Sequence, residues 1–149
     1  MAQHPHSLSW SVLIQYNKNP PRVALGRKPE VEEKYDLHKM NISKSNLKVD
    51  DYISSKYFSE NNENKMCHFV ENTFPYSCDE NIQHYLIWFN PKYNNMLPDT
   101  LNSSKFDNLV RKEVNKNIHY ENQYIYFENI NELKSVRSIR HIHIFIKSN

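Results

Sequence analysis

The hydrophobic pattern along the chain changes period once, near residue 60. Before that point apolar residues recur every three or four positions. "SLSWSVLIQYN" (7–17) offers Ser7 as a cap with Leu8, Val12 and Tyr16 at four-residue spacing, which predicts a helix. "KPEVEEKYDLHKM" (28–40) places Pro29 where a helix start tolerates it and acids in the first turn, and aligns Val31, Tyr35 and His38 on one side. "VDDYISSKYF" (49–58) adds a short third helix. After the polar break "SENNENK" (59–65) come four stretches rich in β-branched and aromatic residues: "MCHFVENTF", "IQHYLIWF", "NQYIYFEN" and "IRHIHIFIK". These read as strands. Between the second and third lies "SSKFDNLVRKEVNK", with Ser103 or Ser104 as cap and an apolar stripe of Phe106, Leu109, Val110 and Val114. The expected architecture is α+β in one domain, 1–149. Residues 1–60 would form a helical layer and 66–149 a mainly antiparallel sheet with one helix around 103–117, helices packing on one face.

Composition narrows the function classes. At 149 residues the chain has room for one core, and ten Tyr, seven Phe and two Trp supply large rings to fill it. A formal charge of +2 is too small to signal a nucleic-acid binder. No stretch has the length of a membrane span, and "MAQHPHSLSW" lacks the regions of a signal peptide, so an intracellular, cytoplasmic protein is expected. In that setting Cys67 and Cys78 are expected to be free thiols. The single glycine, Gly26, leaves asparagine to supply many of the turns, and the Asn, Lys and Ile bias matches an AT-rich genome.

Candidate chemistry centres on the last strand. In "SIRHIHIFIK" alternate residues share a face, so His141, His143 and Phe145 project one way while Ile142, Ile144 and Ile146 project the other. The isoleucines claim the core. The two imidazoles, with Cα atoms about 7 Å apart, then line a different surface on which they can act on one small ligand. His84 in "IQHYLIWFN" brings a third imidazole from a second strand, and all three are expected on one concave surface.

The blocks "CHFVENTFPYSCDENIQHYLIWFNP" and "SVRSIRHIHIFIK" extend this picture. With their "FPY" turn, "IxH" strand ending in Trp, following helix and "SVR…HxHxF" finish, and with Trp10 and Tyr35 upstream, they resemble the family of unknown function typified by the fungal N-acetylglucosamine-induced protein. More distantly, the two blocks are similar to those of histidine-triad nucleotide hydrolases and transferases. That resemblance implies His143 as the nucleophilic middle histidine, His141 as the first, His84 as the histidine of the neighbouring strand and Ser138 as a phosphate-contacting hydroxyl. It also implies that Asn72 touches a ribose or phosphate. Phe145 stands where the triad has its third histidine or a glutamine, Arg137 stands where it has a glutamine, and the phosphate-approaching glycines are missing. Arg137 and Arg140 can offer phosphate contacts in part replacement, although Arg140 should alternate to the opposite face from the histidines.

The functional expectation is a small phosphate-containing ligand, a phosphoester or nucleotide, bound by the histidine pair, with a nucleotide hydrolase or transferase as the catalytic form of that expectation. The alternative is a non-enzymatic binding or interaction module on the same scaffold. Tyr76 and Trp88 can stack on a base or sugar ring, or simply fill core. Neither a metal nor a cofactor is expected. Cys67, His68, Cys78 and His84 lack the paired spacing of a zinc site, and a three-histidine site has no carboxylate on its strands as a second shell. "RVALGRKPE" (22–30) could grip an anion through Arg22, Arg27 and Lys28, but a solvated basic loop is the stronger expectation.

Overall fold

The computed structural model describes residues 7–134, 136 and 138–149. The first predicted helix is shortened. Leu8 pairs in a parallel bridge with Cys78, its N–H donating to the Ser77 carbonyl at 2.7 Å, so tertiary pairing overrides the helical pattern there. Helix α1 (Trp10–Leu13) is instead capped by the Ser9 hydroxyl, which accepts from Val12 N–H, and a 3₁₀ turn at Ile14–Tyr16 follows. Helix α2 (Pro29–Lys44) starts on its proline with Glu30 and Glu32 in the first turn. Just beyond its end Asn46 takes a left-handed φ of 63°, the position usually given to glycine. Gly26 itself has no positive φ; it is buried, and its carbonyl accepts from Ser77 N–H at 2.8 Å, so the missing side chain serves close backbone approach. Helix α3 spans Val49–Tyr57.

Strands β1 (Cys67–Glu71), β2 (Ile82–Phe89), β3 (Asn122–Phe127) and β4 (His141–Ser148) form one sheet in the order β1-β2-β4-β3, every pairing antiparallel. Helix α4 (Ser104–Asn117) lies between β2 and β3 in sequence, and the Ser103 hydroxyl caps it by accepting from Phe106 N–H. Its Phe106, Val110 and Val114 pack on Ile87, Phe89, Ile142, Ile144 and Ile146. Burying side chains of this size stabilises by about 1.5–3 kcal/mol each.

The expectation of helices on one face only is corrected here. The opposite face, which carries the histidines, is also covered: Leu8, Leu13 and Leu25 pack on Ile125, Phe127 and Phe145 at one end, and Ile53 and Phe58 pack on Leu86 and Trp88 at the other. The central strand β4 is therefore buried from His141 to Ile146. The physical reason lies in the apolar residues that share this face with the histidines, Leu86, Trp88, Ile125, Phe127 and Phe145, which need their own cover. Among the described residues no helix is long and apolar enough to cross a membrane.

Candidate functional site

The antiparallel register sets His84 opposite Phe145, Leu86 opposite His143 and Trp88 opposite His141. His84 and His143 are thus diagonal neighbours on one face, close enough for their side chains to meet. His84 Nε2 lies 2.8 Å from His143 Nδ1. The concave open surface expected for these imidazoles is not what forms: His84, His141 and His143 are 3%, 6% and 5% exposed. Tyr76 stacks over His143 at 5.3 Å between ring centres, Phe127 lies at 5.4 Å, and Phe145 stacks on His84 at 4.3 Å.

Hydrogen-bond direction in this cluster follows from one backbone group. Tyr76 N–H can only donate, and it reaches His84 Nδ1 at 3.1 Å. His84 therefore carries its proton on Nε2 and donates to His143 Nδ1, which leaves the His143 proton on Nε2. The Asn129 side-chain amide lies 3.2 Å from His143 Nε2 and 3.3 Å from the Tyr76 hydroxyl. Because His143 Nε2–H is a donor, the amide meets it with its oxygen. The network runs from the Tyr76 backbone through two imidazoles and Asn129 back to the Tyr76 hydroxyl. Burial pushes the His84 and His143 pKa values well below the ordinary imidazole range, and the nearby Arg27 charge and neighbouring imidazoles push the same way, so both rings are neutral. Neither nitrogen of His143 offers a free lone pair in this arrangement.

His141 is held differently. Its Nδ1 donates to the Ile139 carbonyl at 3.3 Å, leaving Nε2 as its acceptor, and burial lowers its pKa to about 4. Its ring stacks on Trp88 at 4.4 Å. Trp88 is 6% exposed, and its Nε1–H has no hydrogen-bond partner among the described residues. A buried N–H left in that state costs about 1–3 kcal/mol.

A cavity of about 210 Å³ separates this face from α2 and α3. His141, His143, Trp88 and Leu86 line its floor, Tyr35, His38 and Lys39 come from α2, and Tyr52, Lys56 and Tyr57 come from α3. Arg27 closes one side. Its guanidinium lies 4.1 Å from the centre of the Tyr35 ring and 5.2 Å from that of Tyr76, and it donates to the Phe74 carbonyl at 2.7 Å and to Glu32 at 3.4 Å. With its side chain 15% exposed, Arg27 is not the solvated loop decoration expected from the sequence. Lys39 Nζ sits 4.5 Å from the Tyr35 ring centre, and Lys56 Nζ sits 5.6 Å from that of Tyr52 and 5.5 Å from that of Tyr57. His38 packs against Tyr52 and Phe74, and burial followed by the Lys56 charge lowers its pKa.

Of the residues singled out in the sequence, the structure brings together His84, His141, His143, Tyr76 and Asn72. Asn72 lines the cavity, with its Oδ1 accepting from Phe74 N–H to fix the "FPY" turn. Ser138 is elsewhere: its N–H and hydroxyl both donate to Asp50 in the first turn of α3, and it borders a separate groove. Arg140 lies on the α4 side, over the Phe106 ring, with Nε donating to both Glu128 oxygens at 3.1 Å. Arg137 falls outside the described residues. The cavity cations and tyrosines that sequence reasoning missed are Lys39, Tyr52, Lys56 and Tyr57. A signal existed: Tyr35/Lys39 and Tyr52/Lys56 repeat one Tyr-x-x-x-Lys spacing on two successive helices, which puts ring and cation on one helix face.

Among the described residues no group of three or more His, Cys, Asp or Glu side chains is arranged to hold a metal ion. Burial raises both Cys67 and Cys78 to about 12, with Glu113 adding to the shift at Cys67 and Asp79 at Cys78, so both are neutral thiols.

The fold has a counterpart among solved structures. The crystal structure of HTC1 superposes with a TM-score of 0.65 at 17% identity, covering 96% of this chain and 86% of that one, a likeness of fold alone. No curated protein matches the chain. The family model described as "Protein of unknown function (DUF3605)" matches residues 9–147, which include His84, His141 and His143, the "FPY" turn and helices α2 and α3, and the chain therefore belongs to the DUF3605 family.

Proposed function

We propose that this protein binds a small phosphate-bearing molecule in the cavity between the sheet and helices α2 and α3. The observation that carries the reading is the set of cations on aromatic walls: Arg27, Lys39 and Lys56 each lie over a tyrosine ring, Glu71 is the sole carboxylate residue among the described lining residues, and Glu32 and Asp36 pair with Arg27 and Lys39 from outside the lining. Cationic groups on partly desolvated aromatic walls attract an anion, and the rings supply stacking area for the rest of the ligand.

Binding without turnover is the reading the histidines favour. Nucleophilic attack of the histidine-triad kind needs a free imidazole lone pair and a donor for the leaving group. His143 has its Nδ1 engaged by His84 and its Nε2 bonded to Asn129, and Phe145, at the third position of the motif, is fully buried against His84. The histidine network is then a rigid floor beneath the cavity, and the expected ligand chemistry sits on the cations above it.

The test is a thermal-shift and calorimetric screen of the full chain against phosphate-bearing small molecules, paired with an assay for phosphate or nucleotide release. Saturable binding that is weakened in a Lys39→Gln, Lys56→Gln double variant, without release of product, is the expected result. Hydrolysis abolished by His143→Ala would replace the binding module with an enzyme. Absence of binding to every phosphate compound would overturn the reading.

A further inference from the structure

Two imidazoles line the cavity floor, and they differ in what they can offer a ligand. His143 has both nitrogens engaged, Nδ1 by His84 and Nε2 by Asn129. His141 has one to spare. Its Nδ1 donates to the Ile139 carbonyl, so Nε2 carries the lone pair, and no group among the described residues donates to it. Trp88 Nε1 is the one side-chain nitrogen or oxygen among the described residues that is both fully enclosed and unpartnered. His141 Nε2, equally unpartnered, therefore keeps surface, and the cavity that His141 lines is where that surface opens. The residue as a whole is 6% exposed, so this acceptor is seated in the interior and not at the rim.

What surrounds that nitrogen narrows the ligand. The His141 ring stacks on Trp88 at 4.4 Å, and Trp88 belongs to a buried cluster with Ile53, Leu86 and Val136, against which Val49 packs. All five line the cavity. A group that enters here meets mostly carbon on its sides and a lone pair at the floor. An apolar group gains from covering those walls, whereas a group polar all round gives up water contacts that carbon does not replace. An apolar group with no donor, in turn, covers Nε2 and leaves it unsatisfied. A fully ionised phosphate has no proton to give Nε2, so the anion belongs with the cations and a different part of the ligand with His141.

Resting on the binding reading above, we infer that the part of the ligand remote from its phosphate is an apolar group carrying a hydroxyl or N–H donor, and that His141 selects it by accepting that hydrogen at Nε2. A site that hydrogen-bonds a ligand hydroxyl rejects the analogue that lacks it. His141 is thereby the specificity-determining histidine of the cavity, while His84 and His143 are its framework.

Titration calorimetry on the full chain compares two pairs of probes in which a hydroxyl takes the place of a methyl: 4-hydroxyphenyl phosphate against 4-methylphenyl phosphate, and 4-hydroxybutyl phosphate against pentyl phosphate. The hydroxyl member of at least one pair is expected to bind about tenfold or more tighter than its methyl partner, each tenfold step being about 1.4 kcal/mol, and tighter than glucose 6-phosphate. In His141→Phe, which keeps a flat ring beside Trp88 but has no acceptor, that preference should shrink to less than about twofold. Because the preference is a ratio within one protein, a general loosening of the site does not imitate its loss. Should His141→Phe not fold, histidine-labelled wild-type protein gives a second measurement: the hydroxyl probe should shift the nitrogen resonance of His141 Nε2 to a hydrogen-bonded position, and its methyl partner should not. Equal or reversed affinities within both pairs, a preference that survives in His141→Phe, an unshifted Nε2 resonance, or tighter binding by glucose 6-phosphate would overturn this inference and leave the binding reading standing. So would failure of all four paired probes to bind while other phosphate compounds do. No binding by any phosphate compound would overturn both.

Discussion

His84 Nε2 and His143 Nδ1 meet at 2.8 Å across two neighbouring strands, and the Tyr76 backbone N–H behind them sets which ring donates. Removing one member strands its partner's polar atom in a buried interior. His84→Ala or His143→Ala should lower unfolding free energy by about 2–4 kcal/mol in urea titrations, cavity and unsatisfied nitrogen together. The double variant should cost less than the sum of the singles. Strict additivity would mean that the two rings are not coupled.

The same burial makes stability depend on acidity. In the unfolded chain an imidazole titrates near 6.5, whereas burial holds His141 at about 4 and His84 and His143 well below the usual value. Below 6.5 the unfolded state takes up protons that the folded state refuses, so stability falls as pH drops, for His141 through the window from 6.5 to about 4. Each such histidine adds a slope of up to about 1.4 kcal/mol per pH unit. Urea midpoints measured from neutrality downward should fall steeply across that window. A flat profile would mean that the rings are accessible to protons.

Arg27 ties the segment before α2 to the "FPY" turn through the Phe74 carbonyl, and it stacks on Tyr35 and Tyr76. A lysine keeps the charge but loses the planar stacking and the forked donors. Arg27→Lys should therefore lose about 1 kcal/mol or more of stability and weaken phosphate binding, with calorimetry and melting curves as the measurements. Wild-type behaviour in both would remove Arg27 from the site.

Trp88 offers a contrast with an ordinary core tryptophan. Its N–H has no partner among the described residues to lose, so Trp88→Phe removes ring area and a buried donor unpaired among them at once. The net effect on the free protein should be less than about 2 kcal/mol, smaller than the roughly 3–5 kcal/mol of a large-to-alanine truncation. Phe106→Ala, under the sheet's other face, should show that full cost. Urea unfolding of the two variants side by side decides it, and equal losses would show that the Trp88 N–H is satisfied in solution.

What the sequence determined by itself is local and periodic. The change from a helical to an alternating pattern located α2, α3, α4 and all four strands, and Ser103 marked the α4 cap. Alternation in "HIHIFI" correctly separated the histidines from the isoleucines, because a strand leaves side chains no other choice of face. Three outcomes were decided only by tertiary structure. Leu8 left its helical pattern because Ser77 and Asp79 offered it backbone partners from another part of the chain. The histidine face became interior because α2, α3 and the N-terminal segment closed over it, and no period in β4 encodes what will cover a face. The cavity's cluster of cations arose because Arg27, Lys39 and Lys56, far apart in sequence, converge only when the loop before α2 and both helices settle over the same strands. Periodicity reports which way a side chain points along its own element; which neighbour it meets depends on long-range packing, and for this site that packing set both the tautomers and the charge.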